Sequence, residues 1–188
     1  MTIVRVVPLP FTWEGLPAEL DAGGAVTAKL ERILGTWEGT PYMEGCQAVG
    51  SGGGVDCVRF VSGVLDALYG FQRVPIDRLP QDMALHRPES ARAAMRQILR
   101  IYEPNVEVKD GRAQPGDVVI VGEAQGGPGH ALIVGTRKNT LWHATQSIGV
   151  HFTGFGQYAR VAVVHAVFRM ADREQWRDHS ADREAPKQ

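Results

Sequence analysis

The sequence has few of the features that mark disulfide-rich, membrane-spanning or nucleic-acid-binding proteins. Only two of its 188 residues are cysteines, which excludes a scaffold held together by several disulfides. No apolar run approaches the roughly 20 residues that a membrane-spanning helix needs. Twenty basic residues against twenty-one acidic ones leave a formal charge of −1, and this balance gives no sign of a nucleic-acid-binding surface.

The spacings typical of zinc sites are also missing. Neither Cys-x-x-Cys nor His-x-x-x-His occurs, so we expect no metal, and nothing in the chain calls for an organic cofactor. A disulfide between Cys46 and Cys57 is the other structural use of two cysteines. Two free thiols in different environments fit a chain of this length in a reducing compartment better.

The N-terminal ten residues are apolar but short, and Pro8 and Pro10 interrupt them. They lack the longer apolar stretch and the small-residue cleavage site of a secretory signal. We therefore expect no signal peptide, and a cytoplasmic or virion- or tail-associated location.

The chain is long enough for one domain with a substantial core. We expect an N-terminal arm over residues 1–24, a folded domain over 25–170 and a polar tail over 171–188. Helical spacing of apolar residues predicts helices over 25–34, 56–69 and 88–102. Strand-forming residues between Gly and Asn turns predict strands over 117–121, 131–135, 141–146, 150–153 and 160–169. Helices followed by strands indicate an α+β domain, with helices covering a mostly antiparallel sheet of about five to six strands.

The first candidate for chemistry is Cys57. It follows the glycine-rich run 52–54, and Asp56 is a good N-cap, so Cys57 falls in the first turn of the second predicted helix. The helix dipole and free backbone N–H groups favour an anion there, and thiols so placed can have their pKa lowered. The alternative is a buried structural cysteine, because free cysteine behaves as a small apolar residue. Cys46 has no comparable setting and is interpreted as structural or incidental.

The faces of this helix predict where Cys57 points. Arg59, Ser62 and Asp66 form one polar stripe, whereas Cys57 lies close to the line of Val61 and Val64. The sulfur should therefore face the sheet and not open solvent.

Two of the six histidines are placed to act with a thiol. His130 follows the glycine-rich run 126–129 and begins a predicted strand, where it suits a proton shuttle. His143 lies in the next strand, and a register that pairs it with Leu132 would put it diagonal to His130 on the same face. The alternative for His143 is a core histidine bound to a backbone carbonyl. The remaining histidines lack a comparable context: His86, His151, His165 and His179.

Four segments in order resemble the NlpC/P60 cysteine peptidases, a papain-like family that cuts peptidoglycan stem peptides. They are Gly39-Thr40-Pro41-Tyr42, Gly54-Val55-Asp56-Cys57, Gly116-Asp117-Val118-Val119 with Gly129-His130-Ala131-Leu132-Ile133-Val134-Gly135, and Leu141-Trp142-His143-Ala144. Their order and spacing agree over roughly residues 25–168. The resemblance implies a papain-like NlpC/P60 fold.

The resemblance also implies the roles of the site residues. Cys57 would be the nucleophile, His130 the base, and His143 the residue that orients the imidazole of His130. Tyr42 and Asp56 would lie at the substrate or oxyanion position. The family needs no cofactor, and its usual substrate is the amide bond between γ-D-Glu and the diamino acid of the stem peptide.

The sequence departs from the family pattern immediately after the nucleophile. Val58 and Arg59 replace the usual Ser-Gly, and this variant is similar to the phage-tail and gene-transfer-agent branch, which would make phage-tail proteins its partners. Two other functions stay open. One is an acyltransferase or amidase that acts on a different amide, and the other is a tail or scaffold component that uses a degenerate papain-like domain for binding.

Overall fold

The computed structural model describes residues 12–69, 105–108, 111–122, 130–158 and 162–170. The helices are α1 (Ala18–Asp21), α2 (Ala25–Trp37), α3 (Cys57–Tyr69) and α4 (Phe155–Tyr158), with a 3-10 turn at Ala22–Gly24. The strands are β1 (Thr12–Trp13), β2 (Gln47–Ala48), β3 (Gly54–Val55), β4 (Asn105–Glu107), β5 (Arg112–Ala113), β6 (Val118–Gly122), β7 (His130–Val134), β8 (Thr140–Thr145), β9 (Gly149–Gly154) and β10 (Val163–Met170). The helix predicted over 88–102 and the tail 171–188 lie outside the described residues.

A six-stranded sheet forms the centre of the fold. Its strands follow the order β4-β10-β6-β7-β8-β9, and every neighbouring pair is antiparallel. The predicted α+β class and the antiparallel sheet are therefore confirmed. Each predicted strand from β6 to β9 is present, with each bound shifted by one residue.

Two apolar clusters lie on the two faces of this sheet. The larger joins α2 and α3 to one face, and includes Ala131 and Ile133 of β7. The smaller lies on the other face and includes Leu132 and Val134, so the alternation of side chains along β7 separates the two clusters. Helices cover one face, and the N-terminal segment contributes Trp13 to the other.

The segment before α2, predicted to be an arm on the surface, contains a strand. Its strand β1 pairs in parallel with β5, and the partly buried side chain of Trp13 packs against the smaller cluster. Asp21 then anchors the start of α2, because its carboxylate accepts hydrogen bonds from the backbone N–H and the hydroxyl of Thr27 at 2.8 Å each.

A polar helix face usually indicates contact with solvent, but the polar stripe of α3 is buried. Arg59, Ser62 and Asp66 are all buried, with 6%, 1% and 8% of their surface exposed. Segment 43–48 provides part of the cover: the side chain of Gln47 donates to the backbone carbonyl of Arg59. The chain therefore covers both the polar and the apolar side of the helix that begins at Cys57.

One buried ion pair fastens the last strand to the rest of the sheet. Both oxygens of Asp117, which is fully buried, accept hydrogen bonds from the guanidinium of Arg169 on β10, at 3.1 and 2.8 Å. The same carboxylate accepts a hydrogen bond from the backbone N–H of Gln114. Bidentate pairing of this kind fixes the relative orientation of the two side chains and also pairs their opposite charges. It therefore holds the start of β6 in place.

Candidate active site

The start of α3 is organised by Asp56. Its Oδ1 accepts hydrogen bonds from the backbone N–H groups of Val58 and Arg59, at 3.1 and 2.8 Å. These are the donors that an N-cap satisfies, so the predicted cap is confirmed, and α3 begins at Cys57.

The second oxygen of Asp56 binds a loop eleven residues earlier in the chain. Oδ2 accepts a hydrogen bond from the backbone N–H of Gly45 at 3.0 Å and forms an ion pair with Arg59 Nη1 at 2.6 Å. Both oxygens of this buried carboxylate thus accept hydrogen bonds from groups of the protein itself. The structure gives Asp56 the role of holding the helix start and segment 43–48 together, and its predicted contact with substrate stays a prediction.

The sulfur of Cys57 faces the sheet, as predicted. Cys57 is 8% exposed, shares an apolar cluster with Ala131 of β7, and lies close enough to the backbone amide of Ala131 for that amide to lower its pKa. Backbone amides lie in the plane of a sheet and not on either face. The sulfur therefore approaches β7 at the residue that follows His130, whereas alternation turns the side chain of His130 toward the face that the helices do not cover.

The expected lowering of the Cys57 pKa is wrong. Burial, the largest cause, and the carboxylate of Asp56 together raise the pKa of this thiol to about 11. The amides of Ala131, Val58 and Cys57 itself act in the opposite direction but do not compensate. The main physical reason is that burial removes the water that would stabilise a thiolate, and the anionic cap adds to this by opposing the attraction of the helix N-terminus for negative charge.

The two predicted imidazoles meet. β7 and β8 pair at Ile133–Trp142 and Val134–Leu141, and the continuation of this register puts His143 opposite Leu132, as predicted. The distance between His130 Nε2 and His143 Nδ1 is 3.0 Å, and the two rings are edge to face with centroids 5.2 Å apart. One of these two nitrogens donates and the other accepts, and the tautomers decide which.

Both imidazoles are uncharged at neutral pH. Burial, together with nearby His151, lowers the pKa of His130 to about 4. Burial, together with His130 and His151, lowers the pKa of His143 to about 3. At pH 7 the site therefore contains a neutral thiol beside neutral imidazoles, and not a preformed thiolate–imidazolium pair.

A third histidine, His151, belongs to this group and was not selected from the sequence. It pairs directly across the sheet with His143, and the centroids of the two rings are 4.3 Å apart. The signal was present in the sequence. His143 and His151 are equally distant from the short turn at 146–148, so a tight hairpin there brings the two residues opposite each other.

Tyr42 lies on the other side of Cys57. It forms an isolated parallel bridge with Val55, two residues before the nucleophile. Burial, followed by the charges of Cys57, Asp56 and Glu44, raises the pKa of Tyr42 to about 12. The hydroxyl therefore keeps its proton, and a protonated hydroxyl is the form that can donate to an oxyanion. That role stays a prediction.

The two cysteines are both free, so no disulfide joins Cys46 to Cys57. Within the described ranges, no group of three or more His, Cys, Asp or Glu residues is arranged to hold a metal ion. None of the helices among the described residues is both long enough and apolar enough to cross a bilayer.

Comparison with known proteins identifies similar solved structures only. No protein-family model matches the sequence, and no curated protein matches it. The NlpC/p60 domain of the peptidoglycan hydrolase SagA is 19% identical with a TM-score of 0.47, over 77% of this chain and 98% of that chain. The P60 domain of the antigen MAP1204 from M. avium subspecies paratuberculosis is 21% identical with a TM-score of 0.38, over 71% of this chain and 88% of that one. The structure of Ly7917 is 13% identical with a TM-score of 0.42, over 77% of this chain and 62% of that one.

Proposed function

We propose that this chain is a cysteine hydrolase of the NlpC/P60 type, in which Cys57 attacks an amide carbonyl and His130 moves the proton. The observation that carries the proposal is that α3 packs on β7 and β8 next to the two imidazoles. The sulfur at the start of α3 lies against the backbone of Ala131, and the preceding residue, His130, contacts His143 at 3.0 Å. The order of the four sequence segments supports the same assignment.

The contact between the imidazoles determines which nitrogen of His130 acts as the base. Because Nε2 lies 3.0 Å from His143 Nδ1, we assign the transfer of the thiol proton to the other ring nitrogen, Nδ1. To act as the base through Nδ1, a neutral His130 must carry its hydrogen on Nε2. His130 Nε2 then donates to His143 Nδ1, and His143 carries its own hydrogen on Nε2.

The reaction proceeds by acyl transfer. The thiol proton passes to His130 Nδ1 as the sulfur bonds to the carbonyl carbon, and the imidazolium then protonates the leaving amine as the C–N bond breaks. Water attacks the resulting thioester, giving one proton to His130 and releasing the carboxylic acid, and the proton returns to the sulfur. The backbone N–H of Cys57 and the hydroxyl of Tyr42 are the proposed donors to the oxyanion.

The raised thiol pKa and the lowered imidazole pKa values make this proton transfer uphill in the free protein. We infer that the proton moves during the attack, so that a thiolate does not accumulate beforehand. The imidazolium that forms is stabilised by the acceptor on His143, and the thiolate is consumed as it forms.

The substrate that we propose is the amide bond between γ-D-Glu and the diamino acid of a peptidoglycan stem peptide. The test is mass spectrometry of purified peptidoglycan fragments after incubation with the protein. We expect products that differ from substrate by one cleaved amide and one added water. Cys57→Ala should lower the rate by about 10³-fold or more, whereas Cys46→Ala, which removes the other thiol, should retain it. Equal turnover by wild type and Cys57→Ala would disprove the assignment.

The same experiment with added amines separates hydrolysis from acyl transfer to another acceptor. A hydrolase gives only the water adduct, because water is the acceptor that resolves the thioester. Products that carry the added amine would instead identify an acyltransferase with the same fold and nucleophile.

One observation favours a function without catalysis. A thiol that is 8% exposed with a pKa of about 11 is also what a tail or scaffold component with a degenerate site would contain. Alkylation of Cys57 by iodoacetamide, followed on its own peptide by mass spectrometry, distinguishes the two. If the rate simply follows the titration of a thiol and His130→Ala does not change it, the binding role is favoured. A rate at pH 7 that depends on His130 supports the hydrolase.

A further inference from the structure

His151 extends the pair of imidazoles to a row across three neighbouring strands. It lies on β9, directly opposite His143 on β8, and His143 in turn contacts His130 on β7. The ring of His151 is inclined by 45° to that of His143 with centroids 4.3 Å apart, which is close enough for the two rings to be in contact. His143 is almost fully buried, whereas His151 is partly exposed, so His151 forms the outer end of the row.

The ring of His151 is itself held in place. Its Nδ1 lies 3.0 Å from the backbone carbonyl of Gly149, and since a carbonyl only accepts, Nδ1 carries the hydrogen and donates it. The start of β9 is fastened in turn to the segment before Tyr42. Val150 donates to the carbonyl of Thr40 at 2.8 Å, and Gly39 donates to the carbonyl of Val150 at 2.9 Å. His151 is thus fixed by backbone contacts on both sides of its strand.

We propose that His151 is a positioning residue, which packs against His143 from β9 and keeps that ring oriented and uncharged, so that His143 Nδ1 accepts the hydrogen bond from His130 Nε2. This inference rests on the proposed function, since it assigns His151 a part in holding the base. His151 acts through His143 and touches neither the nucleophile nor the bond that is cut.

The chemistry of the row explains why a histidine is suited to this position. His143 can accept from His130 only while its Nδ1 is unprotonated. Burial is the main cause that disfavours a positive charge on the ring of His143, and two titratable groups of the described residues, His130 on β7 and His151 on β9, add to it. The flat ring of His151 also limits rotation of His143, and a rotated His143 would present a different nitrogen to His130.

The test uses the rate of Cys57 alkylation by iodoacetamide from pH 5 to pH 10, in a Cys46→Ser background so that one thiol reacts. We expect His130→Ala to lower the rate at pH 7 by about 10²-fold, and His151→Ala to lower it by about tenfold. His151→Phe keeps a flat ring and should restore most of the rate. His151→Asn keeps the donor to Gly149 without the ring and should not restore it. Phe152→Ala, on the opposite face of the same strand and 45% exposed, is the matched control.

A second measurement reports on the imidazoles directly. In the wild type, ¹⁵N NMR of the rings should show His143 in a single tautomer with Nδ1 unprotonated, and His151→Ala should convert it to a mixture. Thermal unfolding of each variant identifies loss of folding, and if His151→Ala does not fold, the comparison of Phe with Asn at this position decides.

The outcomes separate the two proposals. If His130→Ala lowers the alkylation rate but His151→Ala behaves like Phe152→Ala and leaves the tautomer of His143 unchanged, the role of His151 is refuted and the hydrolase stands. If His130→Ala has no effect on the rate, the thiol–imidazole pair is wrong, and both proposals are refuted.

Discussion

The two sides of the candidate site are constructed in different ways. The side of the nucleophile is built almost entirely from local contacts: Asp56 caps the two residues after Cys57, and its most distant partner, Gly45, is eleven positions away. The side of the base is built from three strands whose pairing brings together residues up to 21 positions apart, from His130 to His151.

The two sides also treat charge differently. The start of α3 contains a buried anion and a buried cation, because Asp56 and Arg59 form an ion pair beside Cys57. The row of histidines has neutral members, since the pKa values of His130 and His143 lie well below 7. The nucleophile side therefore depends on both members of an ion pair being present. The base side depends on its histidines staying uncharged.

The largest loss of stability is expected from substitution of Asp56 on the nucleophile side. Asp56→Ala removes the cap of α3 and the acceptor of Gly45, and it leaves the guanidinium of Arg59 buried without its partner. Breaking one partner of a buried ion pair costs about 3–5 kcal/mol, so we expect a loss of this size in the free energy of unfolding. Chemical denaturation followed by circular dichroism measures it.

Asp56→Asn separates the cap from the charge. Asparagine caps helices about as well as aspartate, so this variant retains the two cap hydrogen bonds to Oδ1, whereas the anion is lost and the amide nitrogen cannot accept from Gly45 or Arg59. We expect it to be more stable than Asp56→Ala and to lower the pKa of Cys57, because the carboxylate raises it in the wild type. An unchanged or higher thiol pKa in Asp56→Asn would contradict the conclusion that the carboxylate of Asp56 raises the pKa of Cys57.

The difference between local and distant contacts also explains what could be predicted from the sequence. The N-cap at Asp56 and the start of α3 at Cys57 follow from residues within a few positions of each other, and both were predicted. The burial of Arg59 could not be predicted in this way, because it depends on segment 43–48 folding over a helix face that is polar in sequence. The raised thiol pKa has the same origin, since a sequence does not show how completely a side chain is desolvated.

The histidines show the limit of reasoning from strand patterns. The diagonal contact of His130 with His143 was predicted by assuming one register among several that the connecting turn permits. His151 was missed because the hairpin between β8 and β9 was not used to align the two strands, although its short turn fixes their pairing. The alternation of side chains along a strand can be predicted from the sequence. The residue that each one faces on the neighbouring strand depends on the turn that connects the two strands.

The next largest loss of stability is expected on the strand side of the site, at Gly149. Gly149 has a φ of +81°, and a Cβ there would lie 2.3 Å from the backbone carbonyl oxygen of Thr40. Gly149→Ala should therefore cost about 1–3 kcal/mol of stability, since it combines an unfavourable backbone conformation with a close contact to backbone. Gly154→Ala, at the other end of β9 with nothing within 4 Å of the added carbon, is the control and should change stability little. Equal losses in the two variants would contradict the fastening of β9 to Thr40.

Acid should destabilise the protein through the row of neutral histidines. The pKa values of His130 and His143 are about 4 and about 3 in the folded state, against 6.5 without burial. The unfolded chain therefore binds more protons below pH 6.5, and the stability present above that pH is lost as the pH falls toward 4 and then 3. His143→Gln removes one of these groups, so the slope of stability against pH between 6 and 4 should fall by up to about 1.4 kcal/mol per pH unit.

The matched control for this pH dependence is Thr145→Val on the same strand. Thr145 Oγ1 is buried and forms no hydrogen bond within the part of the chain that the structure describes, so the isosteric replacement changes packing little and adds no titrating group. Stability curves from pH 7 to pH 3.5 should be parallel for wild type and Thr145→Val. A slope in His143→Gln as steep as that of the wild type would mean that His143 is protonated in the folded state.

The smallest loss of stability is expected from an exposed ion pair that joins α2 to the turn between β7 and β8. Arg137, in the turn between β7 and β8, lies 3.5 Å from Glu31 of α2, but the two side chains are 73% and 54% exposed. Exposed pairs of this kind contribute about 0–1 kcal/mol, because water screens the attraction and ordering two long side chains costs entropy. Arg137→Ala should therefore change the free energy of unfolding by less than about 0.5 kcal/mol, and added salt should remove the difference. A larger loss would mean that charge, and not the apolar packing of α2 and α3 on the sheet, holds the two layers together.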